Sequence, residues 1–266
     1  MGPYSWSLDA DGVVVVPSMA VLYALAVRLY PTRHWRIVCF GGALALLLAV
    51  LVTPLDTLAL HYLLSAHLLQ NVVLAEWAPV LVVLGIPPRL ADEAARLRAI
   101  RTLTKPIVAL PLWLATYYVW HVPWLYDTAL HHPNTLLHLE HACYFTAGLA
   151  FWWPVFHSRR SSGTKAAYVF AAFVLASPLG LLLALLPSAV YSFYEQAPRL
   201  WGLSPLTDQQ IAGVTMAGEQ AVVFFYAFAI YFARFLREED ARELYRTGAV
   251  SPSGSRGSSA DTRAPG

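Results

Sequence analysis

The chain has 266 residues, of which 58% are hydrophobic and 13% are charged. Soluble domains carry about 45–50% apolar and about 25% charged residues, so this composition excludes a water-soluble globule. The formal net charge of +2 is too small to indicate nucleic-acid binding. The two cysteines, Cys39 and Cys143, are far apart in apolar stretches, which excludes a disulfide scaffold and a cysteine-ligated zinc or iron–sulfur site. The sequence therefore indicates an integral membrane protein.

Seven apolar stretches approach the length of about 20 residues that a helix needs to cross the hydrocarbon layer. They are residues 13–30, 36–54, 61–85, 106–125, 134–156, 166–187 and 209–235. The predicted fold is all-α, a polytopic membrane protein built as a bundle of seven transmembrane helices. We expect residues 1–236 to form this transmembrane domain and residues 237–266 to form a cytoplasmic tail. The low-complexity end of the tail, from about residue 251, is expected to be disordered.

The distribution of basic residues predicts the orientation of the bundle, because Lys and Arg concentrate in cytoplasmic loops. With the N-terminus outside, every one of the 18 Lys and Arg residues except Arg199 falls on the cytoplasmic side. The first twelve residues contain no Lys or Arg, so no cleavable signal peptide is expected. The N-terminus is predicted to be outside and the C-terminus inside.

Four histidines within or beside the predicted spans are the leading candidate site, since ionisable residues inside a membrane are expensive and usually functional. His67 lies about two turns into the third span, and His121 lies near the outer end of the fourth. His138 and His141 share one face in the first turns of the fifth span. The topology therefore predicts four imidazoles, from three helices, in one layer near the outer surface.

The chemistry of this histidine layer favours copper. Imidazole suits copper, zinc and iron, and Met216, about two turns into the seventh span, adds a thioether, which favours Cu(I). Structural zinc sites usually recruit cysteine, and the predicted layer includes none. Met216 is also consistent with ordinary core packing. Three further histidines on the outer side, His61, His131 and His132, are more typical of interfacial surface residues.

The sequence does not assign a role to the three carboxyl groups inside the predicted spans. On a straight helix Glu140 points roughly 160° away from the mean direction of the paired histidines, and Glu76 points away from His67. Glu219 lies near the middle of the seventh span. It is consistent with a relay for protons or ions and equally with a protonated structural carboxyl.

Three segments resemble the CtaG-type cytochrome c oxidase assembly family: residues 65–88, 120–155 and 201–216. The resemblance implies a seven-helix protein of the bacterial plasma membrane. It also implies an association with copper insertion into haem–copper oxidases, and hence oxidase subunits in the same bilayer as partners.

The resemblance carries over to particular side chains of this chain. The positions that match the family's motifs are His67, Gln70, His121, His138, His141, Asp208, Gln209, Gln210 and Met216. From their chemistry we predict His67, His121, His138, His141 and Met216 as metal ligands, and Gln70, Asn71, Asp208, Gln209 and Gln210 as residues around the bound ion. The family pattern HxxQH has a histidine where this chain has Asn71, which removes one candidate imidazole.

The predicted function is a membrane-embedded oxidase assembly factor that binds copper through these histidines and delivers it to the oxidase. Two alternatives stay close to it: a haem-binding redox protein, because histidine pairs on facing helices ligate haem, and an assembly scaffold that binds no metal. A metal or proton transporter is disfavoured because no internal repeat is visible. No catalytic motif for nucleophilic, phosphate or zinc-protease chemistry is present, so no enzyme is predicted.

Overall fold

The computed structural model describes residues 2–246, apart from the side chain of Tyr245. Across these residues the chain is helical and has no strand. In chain order the helices are α1 (Asp11–Leu29), α2 (His34–Leu51), α3 (Pro54–His61), α4 (Leu64–Gly85), α5 (Pro88–Ala94), α6 (Arg98–Leu103), α7 (Pro106–Trp120), α8 (Pro123–His131), α9 (His138–His157), α10 (Ser162–Leu185), α11 (Ser192–Gln196) and α12 (Pro205–Arg246).

Five of these helices, α1, α2, α4, α10 and α12, are long and apolar enough to cross a membrane. Two further predicted spans are also helical: α7 has 15 residues, and α9 has 20 residues and follows a π-helical turn, Pro133–Leu137. The predicted all-α membrane fold is therefore confirmed. The count of seven spans and the orientation of the termini stay predictions.

Helix boundaries differ from the predicted spans at three places. α4 begins at Leu64 rather than at residue 61, because the chain turns between α3 and α4. α7 ends at Trp120, and α8 begins at Pro123, whose ring favours an extended residue before it and a new helix after it. α12 continues through residues 237–246. The disorder predicted from about residue 251 lies outside the described residues.

α4 is the central helix, and 72% of its most apolar window is buried inside the protein. Helices α2, α9 and α12 pack around it, while α10 packs along α12 and α7 lies against α9 and α10. The polar side chains of α4 are therefore screened from lipid. Inside hydrocarbon such groups need internal partners, and α4 finds them on the helices that surround it.

Helices α9 and α4 approach each other closely at Gly148. A Cβ atom on Gly148 would lie 2.3 Å from the carbonyl oxygen of Ala75 and 2.7 Å from Cγ of Pro79. Only glycine allows the two helices to come so close. The contact falls on the π-helical turn of α4, Val73–Trp77, and turns of this kind are frequent at functional sites.

Candidate metal centre

Asp11, His138 and His141 form a compact group of potential metal ligands. The Nδ1 atom of His138 lies 2.8 Å from Oδ2 of Asp11, and the Nδ1 atom of His141 lies 3.0 Å from the same oxygen. The two histidines reach it together because they lie at positions i and i+3 of α9. Within the described part of the chain, this is the one group of three or more such side chains whose ligand atoms all lie within 4.8 Å of one another.

His67, on α4, is fully buried, and its Nδ1 atom is held by two phenols. The hydroxyl of Tyr194 lies 2.8 Å from Nδ1, and the hydroxyl of Tyr126 lies 3.0 Å from it. Tyr194 donates its own hydrogen to the carbonyl oxygen of Ala59, at 2.5 Å. The Tyr194 oxygen must therefore accept from His67, so the hydrogen of the neutral imidazole sits on Nδ1.

His121 follows the last residue of α7 and is 5% exposed. Its Nδ1 atom lies 2.7 Å from the backbone carbonyl oxygen of Tyr117. A carbonyl oxygen only accepts hydrogen bonds, so Nδ1 of His121 carries the hydrogen. The hydroxyl of Tyr144 lies 3.2 Å from the same nitrogen.

The three buried histidines, His67, His121 and His141, thus share one arrangement. Each turns Nδ1 toward an acceptor, which is a phenol oxygen, a backbone carbonyl and a carboxylate respectively. Each also has a buried Nε2 atom without a hydrogen-bond partner among the described residues. Metal-binding histidines characteristically donate one N–H to such an acceptor and keep the other nitrogen free for the ion.

These histidines are neighbours, although they do not all belong to the compact group. Electrostatic interactions join His67 to both His121 and His141. The ring of Tyr126 lies between two of them, 5.1 Å from the ring of His67 and 6.0 Å from the ring of His121, measured between centroids. The structure therefore brings His138 and His141 together with Asp11, and it places His67 and His121 beside that group rather than within it.

Met216 lies on α12 and is 1% exposed. Its neighbours belong to the apolar core that holds the bundle together. Its predicted role as a ligand is not tested by this packing.

The two predicted polar residues that open α12 hold neighbouring segments in place. Asp208 accepts hydrogen bonds from the backbone N–H of Leu64, at 2.7 Å, and of Ser65, at 3.2 Å. Gln209 accepts from the backbone N–H of Val190 and donates to the carbonyl oxygen of Leu183. Gln210, the third residue of this run, is half-buried.

Gln70 and Asn71 also pair with acids rather than with the histidines. The amide of Gln70 donates to Oδ1 of Asp56, at 2.7 Å. The amide of Asn71 donates to Oε1 of Glu140, at 3.1 Å. The predicted direction of Glu140, away from the paired histidines, agrees with this contact. Asn71, at the position where the family pattern has histidine, therefore binds a fully buried carboxyl.

A cavity of about 230 Å³ lies beside the compact group and is lined by Asp11, His138 and His141 together with apolar side chains of α1, α2, α4 and α9. The imidazole of His138 is 28% exposed. The compact group is thus reachable, whereas the Nε2 atoms of His67 and His121 are enclosed.

Sequence reasoning missed Asp11 and the tyrosines that orient His67. Asp11 stands just before the first predicted span. An acid at the predicted outer end of a span, on the same side as the histidines, could have been named as a candidate partner for them. Tyr126 and Tyr194 lie in connections outside the predicted spans, and nothing in their spacing indicates which helix they reach. By contrast His131 and His132 are exposed, as expected for interfacial residues.

Comparison with known proteins identifies the family of the chain. A family model described as cytochrome c oxidase caa3 assembly factor (Caa3_CtaG) matches residues 21–238. The match includes the four histidines of the layer and begins after Asp11. No curated protein and no solved structure matches the chain significantly.

Proposed function

The chain belongs to the cytochrome c oxidase caa3 assembly factor family, and we propose that it binds copper through its histidine layer and delivers the ion to the oxidase. Copper is here the cargo of the protein. The proposed ligands are His67, His121, His138 and His141, with Met216 as a further candidate. Asp11 joins them as the acid that orients two of these rings.

The observation that carries the proposal is the shared state of the three buried imidazoles. Leaving a polar atom unpaired inside a protein costs about 1–3 kcal/mol, and His67, His121 and His141 each carry such an atom at Nε2. An ion bound at any of these atoms would remove the penalty there, although the three atoms do not all lie within 4.8 Å of one another. Asp11, the carbonyl of Tyr117 and the phenol of Tyr194 would then serve as the outer partners that fix each ring.

The donor set supports copper over other cations. Neutral imidazoles bind the borderline ions, and among divalent ions of the first transition row copper binds such sites most tightly. Ca²⁺ and Mg²⁺ prefer shells made of oxygen. A thioether from Met216 would strengthen the preference for Cu(I).

Delivery requires an ion that can leave, and the exposure of the compact group supports that step. His138 faces the cavity with 28% of its side chain exposed, so a receiving ligand of the oxidase can approach the ion there. His141 links the two parts of the layer, because Nδ1 contacts Asp11 while Nε2 is buried. We propose that the ion passes between the enclosed histidines and the cavity by way of His141.

The proposal is tested in cells that lack the protein, complemented with full-length variants. The test variant is H67A/H121A/H141A, and the matched control is H61A/H131A/H132A, which removes three exposed imidazoles instead. The readouts are the copper content and activity of the oxidase, together with the amount of each variant in the membrane. We expect the control to restore copper-loaded oxidase and the test variant to leave the oxidase short of copper at equal abundance.

The alternatives predict other outcomes of the same experiment. If the protein is a scaffold that binds no metal, the test variant should still restore copper-loaded oxidase, and this result would overturn the proposal. A haem-binding protein would show a Soret band after purification that the test variant lacks.

A further inference from the structure

Below the histidine layer, along α7 and α12, lies a second buried polar cluster that the copper proposal does not use. Gln220, on α12, donates to Oε1 of Glu76, at 3.1 Å, and to the hydroxyl of Tyr117, at 2.7 Å. Glu219 accepts a hydrogen bond from the indole N–H of Trp77. The two carboxyl groups are neighbours, because Glu76 accepts from Gln220, the residue after Glu219, and Glu219 accepts from Trp77, the residue after Glu76. The cluster thus joins α4, α7 and α12 around a carboxyl pair.

The cluster has too few hydrogens for its acceptors. Oε2 of Glu76, Oε2 of Glu219 and the amide oxygen of Gln220 are buried without a hydrogen-bond partner among the described residues. Gln220 and Glu76 are 0% exposed. Two neighbouring carboxylates in a buried site do not both stay ionised, so the pair holds at least one proton. The three unpaired oxygens lack a donor, which a further proton or a cation would supply.

An aromatic layer closes one side of the cluster. Trp113, one turn before Tyr117 on α7, packs on Phe151 with 4.8 Å between ring centroids and on Phe224 with 5.6 Å. Trp152 stacks on Phe224 at 5.7 Å. Phe224 itself lies one turn beyond Gln220 on α12. The polar groups therefore end at this layer instead of continuing through the bundle.

The more exposed member of the pair is Glu219, which is half-buried, whereas Glu76 is 0% exposed. The Oε2 atom of Glu219 is itself buried. The titratable groups that face Glu76 from the packed helices are Glu219 on α12 and Tyr117 on α7. The helix α9 contributes apolar aromatic rings at this level, through Phe151 and Trp152.

We propose that Glu76 and Glu219 form a proton-binding site in the middle of the membrane domain, which shares one proton between two carboxyls and exchanges a second. Gln220 and Trp77 hold the pair in place by donating to one oxygen of each carboxyl. The remaining oxygens carry the exchangeable proton. This site meets the histidine layer at Tyr117, whose carbonyl contacts His121 and whose hydroxyl contacts Gln220, and it does not depend on the identity of the cargo.

The site is tested with dicyclohexylcarbodiimide on the intact protein in lipid vesicles. This apolar reagent takes the proton of a carboxylic acid on one nitrogen, while the carboxylate oxygen bonds to its central carbon. Migration of the acyl group to nitrogen then leaves a stable N-acylurea. Only a protonated carboxyl that the lipid phase can reach is modified. Mass spectrometry of peptides identifies the labelled residue.

We expect labelling at Glu219 that falls as the pH rises and that a large excess of Na⁺ leaves unchanged. The exposed Glu239 and Asp240 are the internal controls and should stay unlabelled. In the E76Q variant the pH dependence should shift, because the neighbouring carboxyl that shares the proton is gone.

Three results would overturn the proposal. Absence of label at Glu219 and Glu76 would show that no reachable protonated carboxyl exists. Labelling that does not change with pH would show a proton that is never exchanged. Protection by Na⁺ would assign the three oxygens to a metal cation instead. None of these results depends on copper, so the site can fail while the proposed function stands.

Discussion

The carboxylate of Asp208, on α12, accepts the backbone N–H of Leu64, the first residue of α4, at 2.7 Å. It also accepts the backbone N–H of Ser65 at 3.2 Å and the hydroxyl of Ser65 at 2.5 Å. The first N–H groups of a helix have no partner inside the helix, and a carboxylate there satisfies them and suits the helix dipole. Asp208 is thus a cap supplied from 144 residues away, and it fixes the start of the helix that carries His67.

Replacing Asp208 by alanine is therefore expected to lower the stability of the bundle by about 1–2 kcal/mol, as for other lost helix caps. Asp208→Asn should cost less, since an amide oxygen still accepts. Thermal unfolding in detergent measures the effect, with the exposed Asp240→Asn as the control on the same helix. Equal stability of Asp208→Ala and the wild type would contradict the capping role.

The contact between α9 and α4 makes a second prediction. Gly148→Ala places a methyl group 2.3 Å from the carbonyl oxygen of Ala75, so the helices must separate, at a cost of roughly 1–3 kcal/mol. Gly218→Ala is the matched control, because a Cβ there meets nothing within 4 Å, and alanine is the better helix former. We expect Gly148→Ala to unfold at a lower temperature than the wild type and Gly218→Ala to unfold at the same temperature or higher.

The role of Asp11 is tested by Asp11→Asn, which keeps the size of the side chain and removes its charge. If Asp11 holds the rings of His138 and His141, its loss should weaken copper binding by about 10- to 100-fold, as for other outer partners of metal-binding histidines. Titration of the purified protein with Cu(I) against a competing chelator measures the affinity. Asp9→Asn is the control, because Asp9 is exposed and lies two residues away. An equal loss of copper affinity in both variants would contradict a specific role of Asp11.

Asp56, in α3 between two membrane helices, gives a prediction about pH. Burial raises the pKa of this carboxyl above its usual value of 3.8, while hydrogen bonds from Ser7 and Gln70 oppose the rise. A raised pKa means that the folded state holds the proton more tightly. The contribution of Asp56 to stability is therefore complete below about pH 4 and is lost as the pH rises through the pKa of the folded protein.

Asp56→Asn has no proton to lose, so its stability relative to the wild type should improve as the pH rises through that range. Chemical or thermal unfolding of both proteins across the acidic range measures the difference. A difference in unfolding free energy that is constant with pH would contradict this interpretation of Asp56.

The fold was largely predictable from the sequence, because burial in a membrane leaves a strong signal in composition and in the spacing of apolar stretches. The ends of the helices were not. The end of α7 at Trp120 and the start of α4 at Leu64 depend on local turns, which the average hydropathy of a long window does not resolve.

The proximity of His138 and His141 was predictable from their spacing, but the partners of the histidines were not. The spacing of His138 and His141 placed them on one face, and their shared contact with Asp11 agrees with it. The partners come from tertiary packing: Asp11 from the start of α1, Tyr194 from α11, and Glu140 opposite Asn71. Helical periodicity describes a single helix and carries no information about which neighbour its side chains will meet.

The central claim is that the free Nε2 atoms of three buried histidines are there to bind copper. The most direct test is the copper content of the purified full-length protein after loading with Cu(I) and removal of unbound metal. The account predicts bound copper in the wild type and in H61A/H131A/H132A, and its loss in H67A/H121A/H141A with the helical circular dichroism spectrum preserved. Equal copper in the wild type and H67A/H121A/H141A, or no copper in any of the three proteins, would contradict it.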